Sequence, residues 1–197
     1  PGGAASPNAQ VYTEAITLTR STRVLARVYK NQTWSALAEA AFLMKGSVKE
    51  FLRITELHYH PAAPTEAETA AGYDNADDFE FIELYNTSAD QTLDLTNVVF
   101  TNGIEYRFEL DDIPQLGPKT TLILVSNRAA FELRYGSELP VFGEYTGNLR
   151  NSGERIQLTD ASGNVILDFK YSDTDPWPEE PDGNGPSLQV IDVLGDY

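Results

Sequence analysis

Cysteine is absent from the 197 residues, which removes disulfides, thiolate metal sites and cysteine nucleophiles together. No apolar stretch approaches the roughly 20 residues needed to cross a bilayer, so membrane insertion is not expected. The start of the chain, Pro1 to Pro7, lacks the charged-then-apolar pattern of a secretion signal. It reads as a linker, and the native chain is expected to be longer. Cations are scarce: 14 Lys+Arg stand against 30 Asp+Glu, for a net charge of −16 and a pI of about 4.3. Nucleic-acid affinity depends on cationic side chains displacing counterions from phosphates. Direct contact with nucleic acid is therefore not expected, nor is docking to anionic lipid. No heptad pattern of the coiled-coil kind is present, and no internal repeat.

Aromatic residues are plentiful, with ten Tyr, nine Phe and two Trp, enough for a packed core. Their spacing is that of strands. Ile16 and Leu18 lie in one apolar run, Val24, Ala26 and Val28 alternate with Leu25, Arg27 and Tyr29, and Asn31-Gln32 makes a turn. A third strand is predicted over Trp34 to Leu43. Three such strands enclose little core, so residues 1–46 read as a partial β-unit.

Lys45-Gly46-Ser47 then breaks the pattern, and a second unit is expected over residues 47–197. Strands are predicted at Leu52 to Pro61, Phe79 to Tyr85, Leu93 to Phe100, Ile104 to Leu110 and Thr120 to Ser126. Asn102-Gly103 is a hairpin turn, and Leu116 to Lys119 another turn. The polar stretch from Ala62 to Asp78 is predicted as a surface loop. Asn127 can cap, Ala129, Ala130, Glu132 and Leu133 favour helix, and Gly136 can end it, so one short helix is expected there. Strands resume at Val141 to Tyr145, Arg155 to Thr159, Val165 to Tyr171 and Ser187 to Asp192. Short strands with turns every eight to twelve residues indicate an all-β sandwich or barrel.

Several pieces of the second unit come in a characteristic order. Arg53-Ile54-Thr55-Glu56-Leu57 precedes Glu80 to Asn86, then Leu93-Asp94-Leu95-Thr96-Asn97-Val98, then Leu116-Gly117-Pro118. Leu149 to Glu154 leads into Ile156-Gln157-Leu158-Thr159-Asp160, and Trp177-Pro178 with Gly185-Pro186-Ser187-Leu188 closes the series. This succession, over about residues 50 to 192, resembles the lamin tail domain in its bacterial form. The resemblance implies an immunoglobulin-like β-sandwich in which these motifs are structural. It also implies a non-catalytic module of a larger secreted or cell-surface bacterial protein, with an extracellular location. Trp177-Pro178 reads as an apolar plug over one end of the sandwich, and Asn151 and Gly153 suit positive φ. The first unit, through Tyr12 to Leu18, Thr22 to Tyr29 and Trp34-Ser35, is similar to the last strands of the C-terminal β-domain of chitobiase and β-hexosaminidase proteins.

Four groups of residues offer chemistry. Glu56, His58 and His60 alternate on a strand, so all three can face one way and hold zinc; solvated strand residues account for the same pattern. Asp74, Asn75, Asp77 and Asp78 form one oxygen-rich loop and Asp173, Asp175, Asp182 and Asn184 a second. Both suit calcium, although neither follows the EF-hand pattern. Tyr73, Tyr106 and Tyr145, if exposed on one face, would favour carbohydrate binding as an accessory to a hydrolase. No Gly-x-Ser-x-Gly elbow supports a serine triad, so no catalytic residue is named, no cofactor beyond calcium is expected, and a metal-dependent hydrolase is the last alternative. The expected partner is a protein or carbohydrate ligand. Asn31-Gln32-Thr33 and Asn86-Thr87-Ser88 match the N-glycosylation pattern.

Overall fold

Two adjacent residues with positive φ, Asn31 at 51° and Gln32 at 61°, turn the first unit back on itself. The turn joins β2 (Tyr29–Lys30) to β3 (Thr33–Trp34), with Tyr29 paired to Trp34. Below it, β1 (Thr22–Ala26) pairs antiparallel with β4 (Ala38–Phe42). Both residues of the turn adopt the left-handed conformation that tight hairpins need. The computed structural model describes residues 6–42 and 48–195. It divides the chain into two compact units, Pro1–Lys45 and Gly46–Tyr197. The Lys45-Gly46-Ser47 break, Leu43 and Pro1 to Ala5 lie outside the described residues.

The first unit differs from the expected three strands. Ile16 and Leu18 lie outside any strand, and the segment from Trp34 is interrupted before β4. Ser35 explains the interruption: its hydroxyl accepts from the Val28 amide at 3.0 Å and donates to the Ala36 carbonyl at 2.8 Å. The Ser35 amide also donates to the Val28 carbonyl at 2.8 Å, so backbone and side chain together close the hairpin there before the chain leaves it. Tyr12, Leu25, Val28, Tyr29 and Phe42 are all exposed. A two-stranded arm has only two faces and no second layer to cover either.

The second unit opens with α1 (Val48–Phe51) and β5 (Leu52–His58). It continues through α2 (Glu66–Ala70), β6 (Phe81–Asn86), β7 (Leu93–Asp94), β8 (Val99–Asn102) and β9 (Tyr106–Arg107). Then come β10 (Gln115–Leu116), β11 (Thr121–Val125), α3 (Arg128–Tyr135) and β12 (Val141–Glu144). The last strands are β13 (Arg155–Thr159), β14 (Val165–Lys170) and β15 (Leu188–Gln189). One sheet has the order β12-β11-β6-β5-β15 and the other β14-β13-β8-β9, with β10 and β7 forming a separate ladder. Ile54, Ile82, Leu84 and Leu124 from the first sheet share one core with Phe100, Ile156, Leu158 and Leu167 from the second. The two sheets therefore form a sandwich.

The first sheet is covered on its other face as well. Phe81, Ile123 and Val125 point away from the sandwich core and pack on Phe131 of α3. Asn127 caps this helix by accepting from the Ala130 amide at 3.2 Å. The helix returns the chain so that β12 pairs parallel with β11, a pairing that requires a crossover rather than a tight turn.

Four expectations are corrected. Three short helices are present, not one. The stretch from Ala62 to Asp78 holds α2 and a 3-10 turn (Ala76–Phe79). Thr65 and Glu68 form a reciprocal capping box at the start of α2, the Thr-x-x-Glu signal of a helix start. The expected strand from Leu93 to Phe100 divides into β7 and β8. Asp94 accepts from the Thr96 amide at 3.0 Å and Asn97 adopts a φ of 61°, which turns the chain between them. Gly153 does have positive φ, and Asn151 is not among the residues that do.

Asn86 ties the sandwich edge together. Its buried side-chain amide donates to the carbonyls of Gln91 (2.7 Å), Leu116 (3.0 Å) and Gly117 (2.9 Å), and its oxygen accepts from the Ser88 amide at 2.9 Å. Such an amide is closed to modification in the folded chain, whereas Asn31 is exposed at the hairpin tip. Replacing Asn86 with Ala leaves several buried backbone groups unpaired, and is expected to destabilise the unit by about 3 kcal/mol in urea denaturation.

Candidate functional site

Beside β15, the two sheets part to leave a groove of about 390 Å³. Its position follows from how the last segment docks. Leu188 and Gln189 pair with Leu57 and Glu56 of β5, and the Val190 amide donates to the Thr55 carbonyl at 2.9 Å. The segment before β15 is held by the Gly183 amide on the His60 carbonyl at 3.0 Å and by His60 Nδ1 against Asp182 Oδ1 at 2.5 Å. Trp177, expected as a plug, is half-buried against the sandwich core and forms one wall with Phe169 of β14. Ile54, Leu57 and Leu188 line it, with Ile191 and Asp192 in the segment after β15, whereas the Glu56 side chain alternates with Leu57 to the other face of β5. Ser187 donates a short hydrogen bond to Glu56 Oε1. Leu188 was quoted only as part of the closing motif, and Phe169 and Ile191 were not singled out in the sequence. Each lies in an ordinary strand pattern, and only the meeting of β14 with β15 gives them a shared face.

The expected zinc group does not converge. His58 is buried, with Nδ1 3.2 Å from the Tyr135 hydroxyl and its ring edge-on to Phe81. His60 turns to Asp182, and Glu56 to Ser187. β5 ends at His58, so the ladder that keeps Glu56 and His58 on one face stops before it reaches His60. The oxygen-rich loops are also drawn into local bonding. Asp77 Oδ2 accepts from Asn148 at 2.6 Å, Asp78 Oδ1 accepts from Asn127 at 3.3 Å, and Asn75 caps the 3-10 turn. In the second loop, Asp182 pairs with His60, and Asp173 accepts from Ser172 at 3.5 Å. Among the described residues, no three His, Asp or Glu side chains are grouped to hold a metal ion, and Asp74 and Asp175 join no such group. Nor do the three tyrosines make a platform. Tyr145 is buried, while Tyr73 and Tyr106 are half-buried edge-on to Phe79 and Phe108.

The polar groups inside the unit are committed to structure. Glu80 is fully buried, and its Oε2 accepts from the Leu149 amide at 2.9 Å and the Tyr145 hydroxyl at 3.1 Å. Its Oε1 has no hydrogen-bond partner. Burial above all pushes this carboxyl up to about 8, with Asp77 adding to it against the two donors. Glu68 receives both forks of Arg134, at 2.7 Å and 2.8 Å. The Arg134 hydrogen bond holds that carboxyl down at about 2. Arg134 also donates to the Ala62 carbonyl at 3.0 Å and lies 3.4 Å over the Phe79 ring. Burial, then the charges of Arg134 and His60, lower His58 to about 4, which keeps its imidazole neutral.

Two antiparallel-dominated sheets around one apolar core, with buried polar groups serving as struts, define an immunoglobulin-like β-sandwich. The chain belongs to the lamin tail domain family, whose model (Lamin Tail Domain) matches residues 46–173. The residues before Gly46, likened above to the chitobiase-type domain, fall outside that match. No curated protein and no solved structure matches the chain significantly.

The three shifted groups set a pH profile. Glu80, raised from 4.5 to about 8, contributes stability that is complete below pH 4.5 and lost as pH rises to 8. His58, lowered from 6.5 to about 4, contributes stability that is lost as pH falls from 6.5 to 4. Glu68, lowered from 4.5 to about 2, loses its contribution as pH falls below 4.5. The first two oppose each other between 4.5 and 6.5 with equal slopes of about 1.4 kcal/mol per pH unit. Urea denaturation should therefore show a plateau there, with falling stability on both sides. Glu80→Gln should abolish the alkaline fall and turn the plateau into a rise up to pH 6.5; an unchanged profile would mean that Glu80 is not the buried acid.

Proposed function

We propose that this chain is a non-catalytic module of a larger secreted or surface-attached bacterial protein, acting by adhesion, scaffolding or ligand contact. The observation that carries this reading is the placement of its reactive groups. The buried acid, the buried imidazole and the shielded Arg134–Glu68 ion pair all face inward, onto backbone amides, tyrosine hydroxyls or each other. The groove, by contrast, is walled by apolar side chains and holds neither a histidine nor a nucleophilic hydroxyl or thiol. A rigid sandwich that exposes such a surface suits recognition rather than turnover. Membership of the lamin tail domain family, an immunoglobulin-like group, supports the same view. The carbohydrate-accessory alternative relied on an exposed tyrosine face, and the burial of Tyr145 counts against it.

An antibody raised against the chain is expected to find the parent protein in the culture medium or on intact cells, where added protease removes it. Confinement to the cytosol would overturn the surface assignment. Chromogenic glycosides and esters, with and without added zinc or calcium, are expected to react no faster than in buffer alone. A rate that scales with protein concentration and vanishes with chelator would restore the metal-dependent hydrolase.

A further inference from the structure

The groove beside β15 lies partly outside the family match, because Trp177 and the whole of β15 follow residue 173. We propose that it takes an extended peptide segment in which one or two large apolar side chains are flanked by Lys or Arg. This rests on the reading of the chain as a binding module and names its ligand class.

Size and lining select a peptide over a sugar. A volume of about 390 Å³ is at the small end of ligand sites, which run from roughly 300 to 1,000 Å³. It accommodates an apolar side chain or two rather than a run of sugar rings. Sugar hydroxyls each require a hydrogen-bond partner, yet besides the Trp177 indole the polar residues along the groove are Glu56, Gln189 and Asp192, and the first two alternate with Leu57 and Leu188 to the other face. At the rim Ile191 is fully exposed, an apolar surface that a bound side chain would cover.

Charge selects the flanking residues. No Lys, Arg or His lines the groove. Asp192 Oδ1 accepts from the Leu194 amide at 3.0 Å, which leaves its second oxygen for a cation. Around it, residues 171–197 carry seven Asp and Glu and not one Lys or Arg. A field of one sign draws in a ligand of the other and repels an acidic one. The acidic stretch that suggested calcium in the sequence serves here as the surround of a peptide site.

The test uses the full chain carrying Trp34→Phe, so that Trp177 is the only indole and its emission reports on the groove. The probe is a blocked, dye-labelled heptapeptide with two leucines between paired lysines. It is expected to bind by fluorescence anisotropy, to shift Trp177 emission and to weaken as salt is raised. Ile191→Ser, at a side chain that packs on nothing, is expected to weaken binding about tenfold with no change in melting temperature. Asp192→Asn is expected to weaken it about threefold and to lessen the salt dependence. Equal binding of a glutamate-flanked control peptide overturns the proposal, and so does full affinity in Ile191→Ser. If chito- or xylo-oligosaccharides move Trp177 emission and the lysine peptide does not, the peptide assignment falls while the binding-module reading stands.

Discussion

The second unit is organised around two strands that are apolar on both faces. β6 and β11 send Ile82, Leu84 and Leu124 into the sandwich and Phe81, Ile123 and Val125 to the opposite side. Leaving either face in water would expose several large side chains at once, each worth about 1.5–3 kcal/mol when buried. Two covers are therefore required. The β8–β9–β13–β14 sheet supplies one, and α3 supplies the other. The helix in turn imposes the parallel pairing of β12, the one departure from antiparallel order in the unit.

Covering the second face also accounts for the insertion between β5 and β6. Within it Phe79 is fully buried and Tyr73 packs edge-on against it, but the helix α2 is polar and needs a partner to dock. Arg134, on the last turn of α3, reaches across to bind the Glu68 carboxylate, the Ala62 carbonyl and the face of Phe79. An ion pair of this kind, bidentate and shielded from water, is stronger than the exposed pairs elsewhere on the surface. The insertion is thereby folded onto the helix that covers the sheet. Glu80, at the entry to β6, lies on the sandwich side instead, where the Leu149 amide and Tyr145 hold it.

Much of the fold was legible from residue order. The β rhythm, the hairpin at Asn102-Gly103 and the helix capped by Asn127 all rest on interactions among near neighbours. The missed elements are instructive for the opposite reason. α2 was announced by Thr65 and Glu68, but its docking depends on Arg134, 66 residues further on. The alternation of Glu56, His58 and His60 suggested a common face, but β5 ends at His58 and His60 turns away to Asp182, 122 residues further on. Trp177 was visible as an apolar feature near the end of the sandwich. That it borders a groove depends on Phe169 and on the pairing of β15 with β5, and neither can be read from local sequence.

What the sequence determined by itself is the set of properties that sum over residues or span a turn. These are the strong negative charge, the absence of thiol chemistry, the all-β class with its turn positions, and the ordered motifs of the lamin tail domain. What only the tertiary structure decided is which polar groups meet. Glu80, His58 and Glu68 look alike in sequence to any other acid or imidazole. One is driven up by burial, one is kept neutral, and one is held charged by a guanidinium. Ionisation energies depend on distance and on exclusion of water, and both are properties of the packed chain rather than of residue order.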